Sequence, residues 1–165
     1  MANETNEFSA LIFHDLKHLL NCSSYENLAL SVGKISHTDV IILDHTFQVS
    51  GICTQKDSVI PEEFSFKMGM YISSATKHFS KLCSAFEQSQ HLNSTVVLKN
   101  LITEKCVVCK TVFDKNCIIG YILLIASHDQ YSDFFIFTAE SASLGMAKIF
   151  YSQNKEYPPD TLLLS

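Results

Sequence analysis

The chain has 165 residues, 47% of them apolar and 18% charged, which suits one domain with a sizeable core and argues against long disorder. Its net charge is −5, and all twelve basic residues are lysines. With no basic excess and no guanidinium fork, direct nucleic-acid binding by this chain is not expected, and any anionic ligand must be held by lysine or backbone N–H groups.

In chain order, Phe8, Leu11, Ile12, Leu16, Leu19 and Leu20 recur at helical spacing and predict an amphipathic helix over 6–20. Ser23 followed by Glu26 is a capping-box pattern. It predicts a second helix carrying Tyr25, Leu28, Val32 and Ile35 on one face. The period then changes. Residues 39–44 (DVIILD) and 47–54 (FQVSGICT) read as a two-stranded hairpin, and 55–69 as a loop with one helical turn after Pro61. A helix is expected over 70–90, striped by Ile72, Ala75, Phe79, Leu82 and Phe86.

Three strands follow at 95–100, 106–113 and 117–127, joined by turns at Thr103-Glu104-Lys105 and Asp114-Lys115-Asn116. The last is apolar on both faces, which predicts a central position in the sheet. A closing helix is expected over 132–154, ended by Pro158 and Pro159. Residues 1–154 thus read as a single domain, and 155–165 as a tail or the start of a linker to an output domain. The order predicts an α+β fold: an antiparallel sheet of about five strands with helices packed on its faces and helices at both termini.

The longest uncharged apolar run, Cys117 to Ile125, has strand length and falls far short of the roughly 20 residues of a spanning helix. The acidic flanks of the N-terminal apolar stretch do not suit a secretory leader, so a cytoplasmic, non-membrane chain is expected. Its six cysteines then read as free thiols. Cys106-x-x-Cys109 with Cys117 is the sharpest metal or redox candidate. Within a strand, however, positions three apart face opposite sides, which favours structural thiols over a role shared with Cys53 or Cys83. His14 and His18 have metal-ligand spacing but fall on the polar side of their helix. Gly-x-Ser-x-Gly and a glycine-rich phosphate loop are both missing, since Gly33, Gly51, Gly69, Gly120 and Gly145 are isolated. Ser-x-x-Lys occurs three times, at Ser31/Lys34 and Ser74/Lys77 among others, with no accompanying Lys-Thr-Gly. No enzyme, metal or cofactor is expected.

Residues 28–51 (LALSVGKISHTDVIILDHTFQVSG), 111–125 (TVFDKNCIIGYILLI), 131–150 (YSDFFIFTAESASLGMAKIF) and 157–165 (YPPDTLLLS) carry a resemblance. Together they resemble a GAF-like sensory domain of the kind found in PucR/CdaR-like bacterial transcriptional regulators. The resemblance implies a GAF/PAS-like fold whose ligand lies between one sheet face and the helix and loop that follow the second strand. Mapped by position, the walls are Cys53, Phe64, Phe66, Met70, Tyr71, Cys109 and Thr111, which would suit a small organic molecule. Equally, Phe64, Phe66 and Met68 could simply plug the core beneath a loop, with no ligand.

The expected function is a non-catalytic cytosolic sensor that binds a small metabolite and regulates a transcriptional output domain. A ligand-free dimerisation or protein-interaction module, or a metal- or redox-sensing GAF-like domain, is the alternative. Within 134–151 only Glu140 and Lys148 are charged, so the closing helix is apolar nearly all round and needs cover on more than one side. Ala139, Ala142, Gly145 and Ala147 would admit another helix closely. A homodimer through the terminal helices is therefore expected, as the resemblance also implies.

Overall fold

The computed structural model describes residues 17–58, 60–102, 104–127 and 132–154. Residues 17–20 are helical; the rest of the expected first helix, with His14, and the tail from 155 lie outside the described residues. The elements are α1 (Tyr25–Ser36), β1 (Asp39–Asp44), β2 (Val49–Cys53), a 3₁₀ turn (Glu62–Phe64) and α2 (Ile72–Ala75). They continue with α3 (Phe79–Leu92), β3 (Val96–Ile102), β4 (Lys105–Asp114), β5 (Cys117–Ser127) and α4 (Ser132–Gln153).

The strands form one antiparallel sheet in the order β2-β1-β5-β4-β3. β5 is central, as its two-sided apolar sequence demands. Lys115 and Asn116 adopt positive φ (49° and 71°) in the two-residue connection from β4 to β5, a backbone that suits a tight hairpin.

Alternation along the strands divides the core into two layers. One sheet face presents Val40, Ile42, Val108, Val112, Ile122 and Leu124 to α1 and α4, where Leu28, Val32, Phe135 and Met146 complete a mainly aliphatic cluster. The other presents Ile41, Leu43, Val107, Cys109, Tyr121 and Leu123 to α3 and the long β2–α3 connection, where Phe64, Phe66, Leu82 and Phe86 close an aromatic cluster.

Several local expectations shift. The cap of α1 is Ser24, whose Oγ accepts the Asn27 N–H at 3.1 Å; Ser23 instead accepts from the Asn27 side chain. The expected 70–90 helix is two helices, broken at Thr76, whose backbone is extended and whose Oγ1 accepts the His78 N–H at 3.1 Å. Phe47 does not belong to β2. It stands in the turn at φ 66° and stacks on Tyr121, with ring centroids 4.4 Å apart and planes 7° from parallel.

Three of the four small residues of α4 are consumed internally. Ala139 and Ala142 are buried in the helix-side cluster, and a side chain on Gly145 would reach within 2.8 Å of the Leu19 carbonyl oxygen. Phe137, Leu144 and Tyr151 stay exposed. No described helix is long and apolar enough to cross a membrane.

Candidate functional site

The loop-side face is closed by shape rather than by period. Phe86 of α3 lies 4.6 Å from Tyr121, Phe79 meets Phe47 edge-on at 5.1 Å, and Phe64 stacks against the His78 ring at 5.3 Å. Rings packed in this way contribute beyond their buried area, but they tile poorly at an edge. Where β1 and β2 meet the connection after β2, a cavity of about 160 Å³ remains, walled by Ile41, Ile52, Cys53, Ile60, Phe64 and Phe66.

Asp39 stands at its polar end. Its parity with Ile41 and Leu43 turns it into the protein, and it is buried. One carboxylate oxygen accepts the Gln55 N–H at 2.7 Å and the other accepts the Ser58 hydroxyl. Gln55 in turn donates through Nε2 to the carbonyls of Thr38 (2.9 Å) and Gly33 (3.0 Å). This knot ties the first turn of the β2–α3 connection to the start of β1 and the end of α1. It fixes the loop that roofs the cavity. A wider cleft of about 660 Å³ at the same end of the sheet shares Asp39, Cys53 and Ser58 and adds Lys34 and Lys105.

The seven sequence-predicted residues divide three ways. Phe64, Phe66 and Cys53 border the cavity, although the Cys53 sulfur turns toward α1, into the space a Gly33 side chain would need. Cys109 and Thr111 are buried and spent on packing. The Thr111 hydroxyl donates to the Phe86 carbonyl at 2.7 Å, and its N–H donates to Ser89 Oγ at 2.9 Å, so Thr111 anchors α3 to β4. Met70 and Tyr71 extend the sheet edge. The Val49 N–H donates to the Met70 carbonyl, Tyr71 bridges Gln48, and the Tyr71 side chain faces outward, 47% exposed.

Asp39, Gln55 and Ser58 escaped the sequence reading. The available signal was an acid opening an otherwise apolar strand on the parity of its buried residues.

Burial pushes the Cys109 thiol far above its ordinary range, and burial reinforced by Asp39 raises that of Cys53. Neither is a thiolate nucleophile near neutrality. All six cysteines are free. Cys109 lies in the loop-side cluster while Cys106 has the opposite parity, so the Cys-x-x-Cys pair does not converge. Among the described residues no three His, Cys, Asp or Glu side chains stand close enough together to hold a metal ion.

The fold as a whole superposes on known structures. The cofactor-binding GAF domain of the nutrient sensor CodY from Clostridium difficile superposes with TM-score 0.54 over 89% of this chain and 97% of that domain, at 15% identity. The fold is GAF-like. Myxococcus xanthus MglB also superposes with TM-score 0.54, over 78% of this chain and 88% of that one, at 11% identity. The chromophore-binding domain of an unusual bacteriophytochrome from R. palustris gives TM-score 0.54 at 11% identity, over 90% of this chain and 63% of that one. At these identities the likeness is one of GAF-like architecture. No family model and no curated protein sequence matches the chain.

Proposed function

We propose that the chain is a non-catalytic cytosolic sensor domain that binds a small metabolite and regulates a transcriptional output domain. The observation that carries this reading is the cavity on the loop-side face, roofed by a connection that Asp39 pins in place. Its volume, near 160 Å³, is close to the roughly 150 Å³ of an engineered apolar cavity that takes up benzene. The ligand is accordingly compact, with an apolar side toward Ile41, Ile60 and Phe64 and a hydrogen-bond donor at the Asp39 end. The CodY domain that shares the fold is a cofactor-binding domain of a nutrient sensor, which supports the same use here.

A thermal-shift screen of small amines, amino acids and amides tests the reading. A ligand at 100 times its dissociation constant adds about 2.7 kcal/mol, which raises Tm by roughly 5–10 °C in a domain of this size. Ile60→Trp, which fills the cavity, should abolish the shift. A screen in which no compound moves Tm would overturn the proposal.

A second reading, a ligand-free dimerisation module, is favoured by Phe137, Leu144 and Tyr151, which stand exposed on α4 at seven-residue intervals. It requires a solution mass near twice 18.5 kDa at micromolar concentration.

A further inference from the structure

On the opposite face of the sheet, Lys110 shares the parity of Val108 and Val112, so it leaves β4 beneath α4, among aliphatic neighbours. Only 7% of it is exposed. Ser141, on the overlying helix, is 5% exposed. Glu140, on the rim of the same helix, is the charged group that acts on Lys110. Neither Lys110 Nζ nor Ser141 Oγ is sealed from solvent, so each side chain is packed away along its length while its ammonium or hydroxyl opens outward.

Both groups line a groove of about 480 Å³. Its floor is β4 beyond Cys109, a stretch that β3 leaves uncovered because their pairing runs only from Val96↔Cys109 toward the other end. Phe113, Phe137, Leu144 and Ala147 supply apolar walls. The volume falls in the range of roughly 300–1,000 Å³ typical of small-molecule sites. An apolar trough into which an ammonium and a hydroxyl open is complementary to an apolar body that ends in an acceptor of negative charge. Burial lowers the pKa of Lys110, and Glu140, on the rim, favours its charged form.

We propose that this groove is a second ligand site, for a small amphipathic carboxylate whose oxygens meet Lys110 Nζ and Ser141 Oγ and whose hydrocarbon or aryl body lies along Phe137 and Leu144. Glu140 is the internal competitor: it is exposed and offers Lys110 a carboxylate when the groove is empty. The site lies across the sheet from the cavity under the Asp39 loop, so it stands or falls independently of that one.

The test is an amide-resolved NMR titration of the full chain with 3-phenylpropionate, and with 3-phenylpropionamide as its uncharged twin. The acid should give saturable shifts at 110–113 and 137–147, and the amide should bind at least about tenfold more weakly. Lys110→Met keeps the buried stem and should lose at least about tenfold in affinity for the acid. Glu140→Gln, at an exposed position that leaves the fold untouched, should bind the acid more tightly. Four outcomes overturn the proposal. They are equal binding of acid and amide, shifts confined to residues around Asp39 and Phe64, weaker acid binding by Glu140→Gln, and groove amides that move on dilution without probe. In the last case a second copy of the chain is the occupant.

Discussion

The two faces of the sheet are built from the same five strands, yet they are closed by different means. The helix-side face is covered by two long helices, α1 and α4, whose aliphatic side chains meet an aliphatic sheet. The loop-side face is covered by one helix and a connection of irregular backbone, and large rings fill the spaces that period cannot. The first arrangement has little room to relax. The second leaves a cavity whose roof hangs on one carboxylate. Regular cover gives rigidity, and irregular cover gives a place where a ligand can exchange for a side chain.

The largest expected effect tests that contrast directly. Leu124 is fully buried between the sheet and both helices, and Leu124→Ala should cost near the upper end of about 2–5 kcal/mol. Phe64 is as deeply buried and larger, but it borders an existing void under a movable roof. Phe64→Ala should therefore cost no more than Leu124→Ala, nearer about 3 kcal/mol, because the site can collapse. Urea unfolding of both variants decides. A Phe64→Ala penalty clearly above that of Leu124→Ala would mean that the loop side is as rigid as the helix side.

Asp39→Asn comes next. It keeps the shape of the side chain and removes the charge that strengthens the bonds to Gln55 and Ser58. The expected cost is about 2 kcal/mol. Hydrogen exchange should quicken at the Gln55 and Ser58 amides while the amides of α4 keep their protection. Uniform acceleration across both layers would show that the loop does not open separately.

Much of this division was legible in the sequence. β1 and β5 have the bounds of their apolar runs, because an uninterrupted apolar segment closed by polar residues leaves the backbone few alternatives. The failures lie where a tertiary contact outweighs a local pattern. Phe47 is an aromatic beside a strand, so it reads as strand, but stacking on Tyr121 holds it in a turn. The stripe from Ile72 to Phe86 runs on across Thr76, so the period hides the break that the Thr76 hydroxyl stabilises. The candidate site was harder still. Thr111 faces the expected side, and nothing local announces that α3 takes its hydroxyl. Lys110 and Asp39 are charges within strands, and only the assembled layers bury them.

Alkaline pH should set the two faces against each other. On the loop side, burial holds the Cys109 thiol far above its ordinary 9.0. Above that pH the unfolded chain has lost a proton that the native state keeps, so stability falls as pH rises, by up to about 1.4 kcal/mol per unit. Tyr25, pushed up to about 12 by burial and by Asp44, acts in the same sense above its ordinary 10.0. Lys110 on the helix side has the reverse sign. Its pKa is lowered from 10.5, so just below that value the unfolded chain holds a proton that the native state has released, and stability gains as pH rises. Unfolding free energies measured from pH 8 upward should fall less steeply in Cys109→Ala than in the parent chain, and more steeply in Lys110→Met. Parallel curves would show that neither group titrates differently on folding.

The smallest effect belongs to the N-cap of α1, on the helix side. Ser24 Oγ satisfies the Asn27 N–H, one of the N–H groups at the helix start that have no partner within the helix, and its extended backbone sets the entry angle. Ser24→Ala should cost about 1 kcal/mol, against only a few tenths for Ser24→Gly. Because α1 packs on β2 and on α4 over its whole length, the loss should appear as lower global stability with an unchanged denaturant slope. Exchange at Gln55 should keep its place relative to the rest of the protein. If Ser24→Ala instead loosens Gln55 selectively, strain passes from the start of α1 along the helix to the Gly33 carbonyl that Gln55 holds. The layer that looks rigid would then be coupled to the layer that opens.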